Sequence, residues 1–431
     1  MAQPVCLFVV LNSMTHLTIE QAPAVSLPRR FLLSAPLWGV VGGTLLLIDG
    51  ASALQTRWQP QTLALVHIFT LGVLGNTMLG SLMQFLPAAA AVRVRGGAMC
   101  VITLHSAFNL GVALLVIGLH AMWLPGLTAA AVLLPASFLL LGAMALPGVL
   151  ITALRSLLHA GIAIALGFSL LTAGLGGVLA LSLSGRLSTP IQALVDIHAS
   201  WGVLGWVIVL IASVARVVMP MFQGTGILPA PLQATWFVSL TVMLLAGAWR
   251  RLVYGDTWWL MATVVVHACL FALAALWLQW RASRLRRGSL LQSWRYSLAL
   301  LVGCTLILPS DPRGGLLVGL LAIGCALPLL VVGMALEIVA FLGWIDLHRQ
   351  CGRGIRLPSV QHLLPETDKA RALAMQLPAI FLSVTAVCWP MPWLVRVAGA
   401  SIAIAWLCLW FTMHRVSLRT RVFLRAQRGH Q

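Results

Sequence analysis

Two histidines stand at equivalent places in two apolar stretches of this chain. HIFTLGVLGNTMLGSLMQFLP begins at His67, HASWGVLGWVIVLIASVARVVMP begins at His198, and each stretch ends at a proline. Histidine is costly inside a lipid bilayer, so an intramembrane histidine is a functional candidate by default. A neutral imidazole binds metal ions and haem iron. The pair therefore predicts two ligands, and the alternative for each is a packing histidine that hydrogen-bonds to a backbone carbonyl.

Haem suits such surroundings, because its flat macrocycle can pack between apolar helices while an imidazole nitrogen binds the iron. Gly72, Gly202 and Gly205 lie just beyond the histidines and would let such a ring approach the backbone. Close helix packing is the other explanation of these glycines. His267, near the middle of its apolar stretch, is the candidate for a third ligand. Haem b is the first cofactor expected, and copper, with methionine as a soft partner, is the second.

Three polar residues form a second candidate site. Gln84, Arg216 and Glu337 each lie toward the inner end of an apolar stretch. A buried charge needs a partner, and Arg216 and Glu337 are opposite in sign, so we expect them to form an ion pair. The cluster would act either as a salt bridge that fastens helices together, or as a polar route from the cytoplasm or a contact to a haem propionate.

These residues must be positioned by membrane-spanning helices. The chain has 431 residues, of which 60% are apolar and only 8% are charged, and its mean hydropathy is +0.99. This composition predicts an all-α integral membrane protein. Because about 20 apolar residues cross a bilayer, we expect twelve transmembrane helices. They are predicted at 31–50, 62–87, 98–119, 124–149, 155–182, 193–219, 233–249, 257–280, 294–309, 314–345, 374–390 and 393–414.

Basic residues outnumber acidic residues by 27 to 9, and their placement predicts the topology. With a cytoplasmic N-terminus, twenty basic residues fall on the inner side, six fall on the outer side and Arg216 lies within a span. This distribution obeys the positive-inside rule. Both termini are therefore expected in the cytoplasm, with the helices in a bacterial inner membrane. The lipid bilayer accounts for the charge balance, so no nucleic-acid partner is expected.

The predicted organisation has a cytoplasmic tail at 1–30, a twelve-helix transmembrane domain at 31–414 and a basic cytoplasmic tail at 415–431. The first tail contains the apolar run CLFVVL, but it has neither a basic region before that run nor a small-residue cleavage site after it. We therefore expect a tail, not a signal peptide. The inner loop at 346–373 is expected to be a solvated connector, with a docking surface for a cytoplasmic partner as the alternative.

A weak internal repeat links the second, sixth and tenth predicted spans. In each span a small residue precedes a polar residue by four positions, and a proline follows in the first two spans. The matching residues are Gly80, Gln84 and Pro87, then Ala212, Arg216 and Pro220, and then Gly333 and Glu337. Because these spans are four apart in order, the repeat predicts three four-helix units in a pseudo-threefold arrangement.

These features resemble the haem-copper oxidase subunit I superfamily, especially its nitric-oxide-reductase-like and C-type members, and more narrowly a group of bacterial subunit I-like membrane proteins. Three signatures carry the resemblance: H-x3-LG-x7-G-x3-Q-x2-P, H-x6-GW and GM-x3-I-x2-FL-x-W. They match His67, Leu71, Gly72, Gly80, Gln84 and Pro87; His198, Gly205 and Trp206; and Gly333, Met334, Ile338, Phe341, Leu342 and Trp344. The resemblance covers most of the chain in topology but only three helices in motif.

The resemblance implies that His67 is an axial haem ligand and that His198 binds copper or haem. It also implies histidines that this chain lacks, because the seventh span has none and the position in the tenth span that corresponds to His67 is Leu320. The sequence has only two tyrosines, Tyr254 and Tyr296, both toward span ends. We therefore expect neither a proton-pumping oxygen reductase nor a binuclear nitric oxide reductase.

Three functional classes stay open. The first is a haem- or copper-binding membrane protein that takes part in respiratory electron transfer, responds to nitric oxide or supports metal centres, with a redox or respiratory protein as its partner. The second is a metal-free transporter that uses Glu337, Arg216 and Asp49 for coupling. The third is a scaffold or assembly subunit that keeps the fold without a cofactor.

Overall fold

The computed structural model describes residues 23–307, 312–351 and 355–428, and within them the chain is helical and forms no strand. Eleven of the described helices are long and apolar enough to cross a membrane, which confirms the expected multi-pass, all-α character. One further helix, α9, completes the numbering. The helices are α1 (Ser26–Leu54), α2 (Pro60–Ala89), α3 (Gly97–His120), α4 (Leu124–Ala153), α5 (Leu157–Leu183), α6 (Ile191–Gln223), α7 (Ala230–Val253), α8 (Trp258–Arg281), α9 (Ser289–Leu306), α10 (Arg313–Gln350), α11 (Glu366–Cys388) and α12 (Pro392–Arg428).

The ninth predicted span corresponds to α9, which is not among the eleven apolar helices. This helix has 18 residues, and its first half carries Arg295 and several serines. The Ser293 hydroxyl donates to the Leu290 carbonyl at 2.9 Å, and the Ser297 hydroxyl donates to the Ser293 carbonyl at 2.7 Å. These bonds satisfy the hydroxyls but leave the segment less apolar than its neighbours. The count of twelve crossings therefore stays a prediction.

The first and last helices extend beyond their predicted bounds. Helix α1 begins at Ser26 instead of residue 31, and α12 continues to Arg428 instead of ending at residue 414. The described part of the predicted basic tail is thus helical, with Val416 and Thr420 buried. The rest of the predicted tails, 1–22 and 429–431, lies outside the described residues.

By its packing the chain divides into two units. The first consists mainly of Leu82–Ala107 and Ala131–Arg286, and the second of Val25–Ser81, Phe108–Ala130 and the chain from Arg287 onward. Each unit has buried aromatic side chains of its own. They are Phe138, Phe168 and Trp206 in the first unit, and Phe31, Phe108 and Trp294 in the second.

Glycines set the close approach of α1 and α12 in the second unit. A Cβ atom at Gly43 would meet the backbone of Ala403 and the Gly399 carbonyl oxygen, and one at Gly39 would meet the indole of Trp406. In lipid, small residues at helix interfaces let backbones approach and gain van der Waals contact. The first and last helices of the chain are therefore held together by direct backbone packing.

Three helices widen locally into π-helical turns, and α6 does so a second time at its end, at Met219–Gln223. The segments that matter for the histidines are Ile68–Gly75 in α2, Trp201–Ile208 in α6 and Leu320–Ala326 in α10. They occur in the helices that carry the sequence repeat, and they begin directly after His67, three residues after His198 and at Leu320. In α2, the Asn76 side-chain amide donates to the Gly72 carbonyl at 2.8 Å. Such turns are uncommon in proteins, and those that do occur are often found at functional sites.

Replacing Gly43 with alanine should destabilise the second unit, because the added methyl group would press on the α12 backbone. We expect the free energy of unfolding to fall by about 1–3 kcal/mol. Gly303 in α9 is the matched control, since nothing lies within 4 Å of a Cβ atom there. Its replacement with alanine should leave stability unchanged or raise it by up to about 1 kcal/mol. Titration with SDS in mixed micelles, followed by circular dichroism, measures both variants; equal losses would contradict the packing argument.

Candidate functional site

His67 closes the α-helical first part of α2, immediately before the π-helical turns. Its Nδ1 atom lies 2.8 Å from the Leu63 carbonyl oxygen, one helical turn back. A carbonyl only accepts hydrogen bonds, so Nδ1 of this ring carries the hydrogen. The neutral ring then has its lone pair on Nε2. A metal-ligating histidine often makes this same hydrogen bond to a backbone carbonyl through its other nitrogen.

His198 shows the same arrangement in α6 of the first unit. Its Nδ1 atom lies 3.0 Å from the carbonyl oxygen of Thr172 in α5, so the hydrogen bond joins two helices. Gly176 of α5 lies against the ring, because a Cβ atom there would be 3.0 Å from Cε1 of His198. The neutral ring again carries its lone pair on Nε2. The two histidines therefore share one tautomer, although their carbonyl partners differ.

His267 in α8 has hydrogen bonds at both ring nitrogens. Its Nδ1 lies 2.9 Å from the Thr263 carbonyl oxygen, and its Nε2 lies 3.1 Å from the Ser239 hydroxyl of α7. The Trp236 indole N–H donates to the backbone carbonyl of His267 at 3.2 Å. Within the described residues, no three or more His, Cys, Asp or Glu side chains are grouped to hold a metal ion. His267 thus joins α7 and α8, and its role as a third ligand stays a prediction.

The glycines beyond the histidines are covered by neighbouring side chains. A Cβ atom at Gly72 would meet the Trp38 side chain at 2.6 Å, and one at Gly205 would meet the Phe168 ring at 2.6 Å. At Gly202 the Thr172 methyl group would be 3.2 Å away. Neighbouring side chains thus cover the backbone at these three glycines, so a flat ring could not lie directly on them. The glycines act here in helix packing, which was the alternative drawn from the sequence.

Glu337 pairs with a lysine of the inner loop. The Lys369 ammonium group lies 2.5 Å from the Glu337 carboxylate and 3.6 Å from that of Glu366, and the Lys369 and Glu337 side chains are 6% and 14% exposed. Glu366 in turn accepts a hydrogen bond from the backbone N–H of Ser289 at the start of α9. Lys369 is the only lysine in the sequence. The carboxylate of α10 thereby links α9, α10 and the start of α11.

The expected Arg216–Glu337 ion pair is wrong, because Arg216 finds polar partners inside the first unit. Its guanidinium donates to the Gln233 side-chain oxygen at 2.5 Å and to the Leu228 carbonyl at 3.1 Å. The Gln233 amide nitrogen donates back to the Ala212 carbonyl at 3.1 Å. The arginine therefore joins the C-terminal end of α6 to the segment that begins α7, and it is satisfied without a carboxylate.

Gln84, the third member of the predicted polar cluster, is buried at 5% exposure. Neither its side-chain oxygen nor its side-chain nitrogen has a hydrogen-bond partner among the described residues. A buried amide without partners is costly, so this position suits an ordered water molecule or a bound polar group. The three members of the cluster have separate environments and share no hydrogen bond.

Several polar contacts were not apparent in the sequence. Asp368 and Lys369 are buried in the loop that was expected to be solvated, and Arg419 of α12 donates to Asp368 at 2.8 Å. Asn76 and Asn109 exchange amide hydrogen bonds at 3.0 and 3.1 Å in the second unit. Only one sequence feature pointed to any of these contacts. Lys369 stands out because every other basic residue, apart from the histidines, is arginine.

No protein-family model matches this chain, and no curated protein does. The features with functional potential are the two histidine rings, which share a tautomer, and the buried Glu337–Lys369 ion pair.

Replacing Lys369 with methionine should destabilise the second unit, because Glu337 would keep a buried charge without its partner. We expect the free energy of unfolding to fall by roughly 3 kcal/mol, and the double variant Lys369→Met/Glu337→Leu to recover most of that loss. Asp256→Asn is the control, since Asp256 is 30% exposed and pairs with the half-exposed Arg250. That change should cost about 1 kcal/mol or less. SDS titration measures all three variants, and a double variant as unstable as the single one would contradict the ion-pair argument.

Proposed function

We propose that this protein is a haem-binding membrane protein of the bacterial inner membrane, with oxidase subunit I-like ancestry, in which His67 is an axial haem ligand and His198 is a haem or copper ligand. The observation that carries the proposal is the hydrogen bond from Nδ1 of each ring to a backbone carbonyl, at 2.8 and 3.0 Å. This bond fixes the ring orientation, raises the basicity of the imidazole and directs Nε2 toward a ligand role.

The π-helical turns support the same proposal. They begin at or just beyond the two histidines and recur at Leu320 of α10, the position that the sequence repeat equates with His67. A recurring departure from α-helical geometry favours a common origin of the three helices, because such turns are rare. Leucine offers no donor atom, so α10 supplies no haem ligand at this position. The proposal therefore excludes an oxidase-type ligand set that includes α10.

The haem would supply reversible one-electron chemistry or the binding of a small gas. Electron transfer with a respiratory partner and a response to nitric oxide are the roles that two histidine ligands allow. Support of other metal centres is the third role. Haem b is the cofactor we favour, and copper bound by the same imidazoles is the alternative.

The proposed topology has twelve crossings with both termini in the cytoplasm. It counts α9 as a crossing, although α9 is less apolar than the other helices. Two features support this count: the α9 serines Ser293 and Ser297 donate to backbone carbonyls, and Gly333 of α10 packs directly on Ser293. An even number of crossings also keeps the twenty basic residues on the inner side.

Absorption spectroscopy and iron analysis of the purified full-length protein test the proposal. We expect a Soret band and bound iron in the wild type, and loss of most of both in His67→Ala and in His198→Ala. His267→Ala is the matched control, because this histidine also bonds a backbone carbonyl through Nδ1 but is not one of the two proposed haem ligands. It should lose stability and keep the Soret band.

A colourless, metal-free wild-type preparation from cells supplied with a haem precursor would contradict the proposal. If the wild type contains copper but shows no Soret band, and both histidine variants lose the copper, the cofactor is copper and not haem. A Soret band that persists in both variants would show that other residues hold the haem.

A coupled transporter is the second candidate, and the buried Glu337–Lys369 pair favours it. Lysine can lose its proton when buried, whereas arginine stays charged, so Lys369 is the single Lys or Arg side chain of the sequence suited to proton exchange. If the protein couples transport to protons, Glu337→Gln should reduce potential-driven proton flux in proteoliposomes to the level of empty vesicles. The control is Glu366→Gln, because Glu366 is 53% exposed.

Absence of proton flux in wild-type vesicles would contradict this second candidate. If the protein also lacked haem and copper, the cofactor-free scaffold would be the remaining class.

A further inference from the structure

A cleft of about 600 Å³ lies in the first unit, at the end where α2 and α4 finish and α3 begins. Its wall is formed by the loop before α3 and by the last turns of α4. The lining residues are Ala91, Val92, Arg93, Val94, Arg95, Gly96, Gly97, Gly148, Ile151 and Thr152. It is separate from the histidines and from the Glu337–Lys369 pair, none of which lines it.

The loop that forms this cleft is fixed to the helices around it. The Arg95 backbone N–H donates to the Met144 carbonyl of α4 at 3.0 Å, and the Val92 N–H donates to the Leu86 carbonyl of α2 at 2.8 Å. A Cβ atom at Gly148 would be 2.8 Å from the Val92 side chain, so this glycine lets the loop lie on α4. The arginines are therefore presented on an anchored backbone.

The cleft is positively charged, and the described part of the chain does not neutralise it. Arg93 and Arg95 line the cleft and are exposed, and neither forms an ion pair with a described carboxylate. Helix α3 starts at Gly97 with no acidic residue in its first turn. Its first backbone N–H groups add partial positive charge beside the guanidinium groups. An anion is the ligand that this charge favours.

Apolar side chains beside the cleft indicate the source of the anion. Ile151 lines the cleft and is 76% exposed, while Met99 and Leu154, which adjoin the lining residues in sequence, are 71% and 101% exposed. In a membrane protein such side chains face acyl chains. A free phosphate ion would use only the arginines, whereas a phospholipid would use both the charged cleft and the apolar residues.

We propose that this cleft binds an anionic phospholipid, with the headgroup phosphate between Arg93 and Arg95 and the acyl chains along Ile151 and Leu154. Basic pockets between transmembrane helices recognise anionic headgroups in this way. The site is independent of haem binding and of proton transport.

Native mass spectrometry of the delipidated full-length protein tests this site with phosphatidylglycerol and with phosphatidylcholine of the same acyl chains. We expect tighter binding of phosphatidylglycerol to the wild type, and roughly 30-fold weaker binding to the double variant Arg93→Gln/Arg95→Gln. Arg186→Gln is the control, because Arg186 is exposed and lies at the loop between α5 and α6. It should bind phosphatidylglycerol as the wild type does.

A second variant and a competition separate the lipid from a free anion. Ile151→Ser/Leu154→Ser should weaken binding of phosphatidylglycerol, and inorganic phosphate at millimolar concentration should not displace the lipid. Equal affinity for the two lipids, or a double arginine variant that binds like the wild type, would overturn the proposal. Displacement by inorganic phosphate, with no effect of the serine variant, would overturn the lipid assignment in favour of a free phosphate.

Discussion

The interior of a bilayer contains no water to satisfy polar groups, so each buried donor and acceptor of this chain needs a partner within the protein. Hydroxyl groups along the helices meet this requirement by bonding to carbonyls of the preceding turn, as Thr77 does with Val73 at 2.8 Å. The π-helical turns of α2 leave carbonyls without their usual partner, and the Asn76 amide bonds one of them. Local backbone irregularity is therefore accompanied by a polar side chain that compensates for it.

The same constraint gives the histidines their positions. An imidazole in lipid must donate its N–H group, and His67, His198 and His267 all donate to a backbone carbonyl. In His267 the second ring nitrogen also meets the Ser239 hydroxyl, so this side chain joins α7 to α8. The polar surroundings of each histidine therefore contribute to helix packing.

The helical and apolar character of eleven membrane-spanning segments could be predicted from hydropathy, because each is a long apolar stretch with few polar residues. The bonding partners of the polar residues could not be predicted in this way. Arg216 and Glu337 were expected to pair because they are opposite in sign and similar in depth, yet each bonds a residue of its own unit, Arg216 with Gln233 and Glu337 with Lys369. Lys369 was expected in a solvated loop. A short charged segment does not indicate that adjacent helices will bury it, so the burial of Lys369 could not be predicted. The glycines near the histidines were ambiguous for a related reason, because a missing side chain does not specify which neighbour fills the space.

The repeat places polar residues of different chemical character at equivalent positions of three helices. Gln84, Arg216 and Glu337 follow a small residue at the same spacing, but one lacks a described partner, one bonds amide and carbonyl groups, and one forms an ion pair. Local neighbours thus decide how Arg216 and Glu337 are satisfied, whereas Gln84 has no such partner among the described residues. At the other end of the repeat the backbone has kept its π-helical form at Leu320, where the side chain has no donor atom. Because the π turns occur both beside a histidine and beside Leu320, the backbone form does not require a histidine at that position.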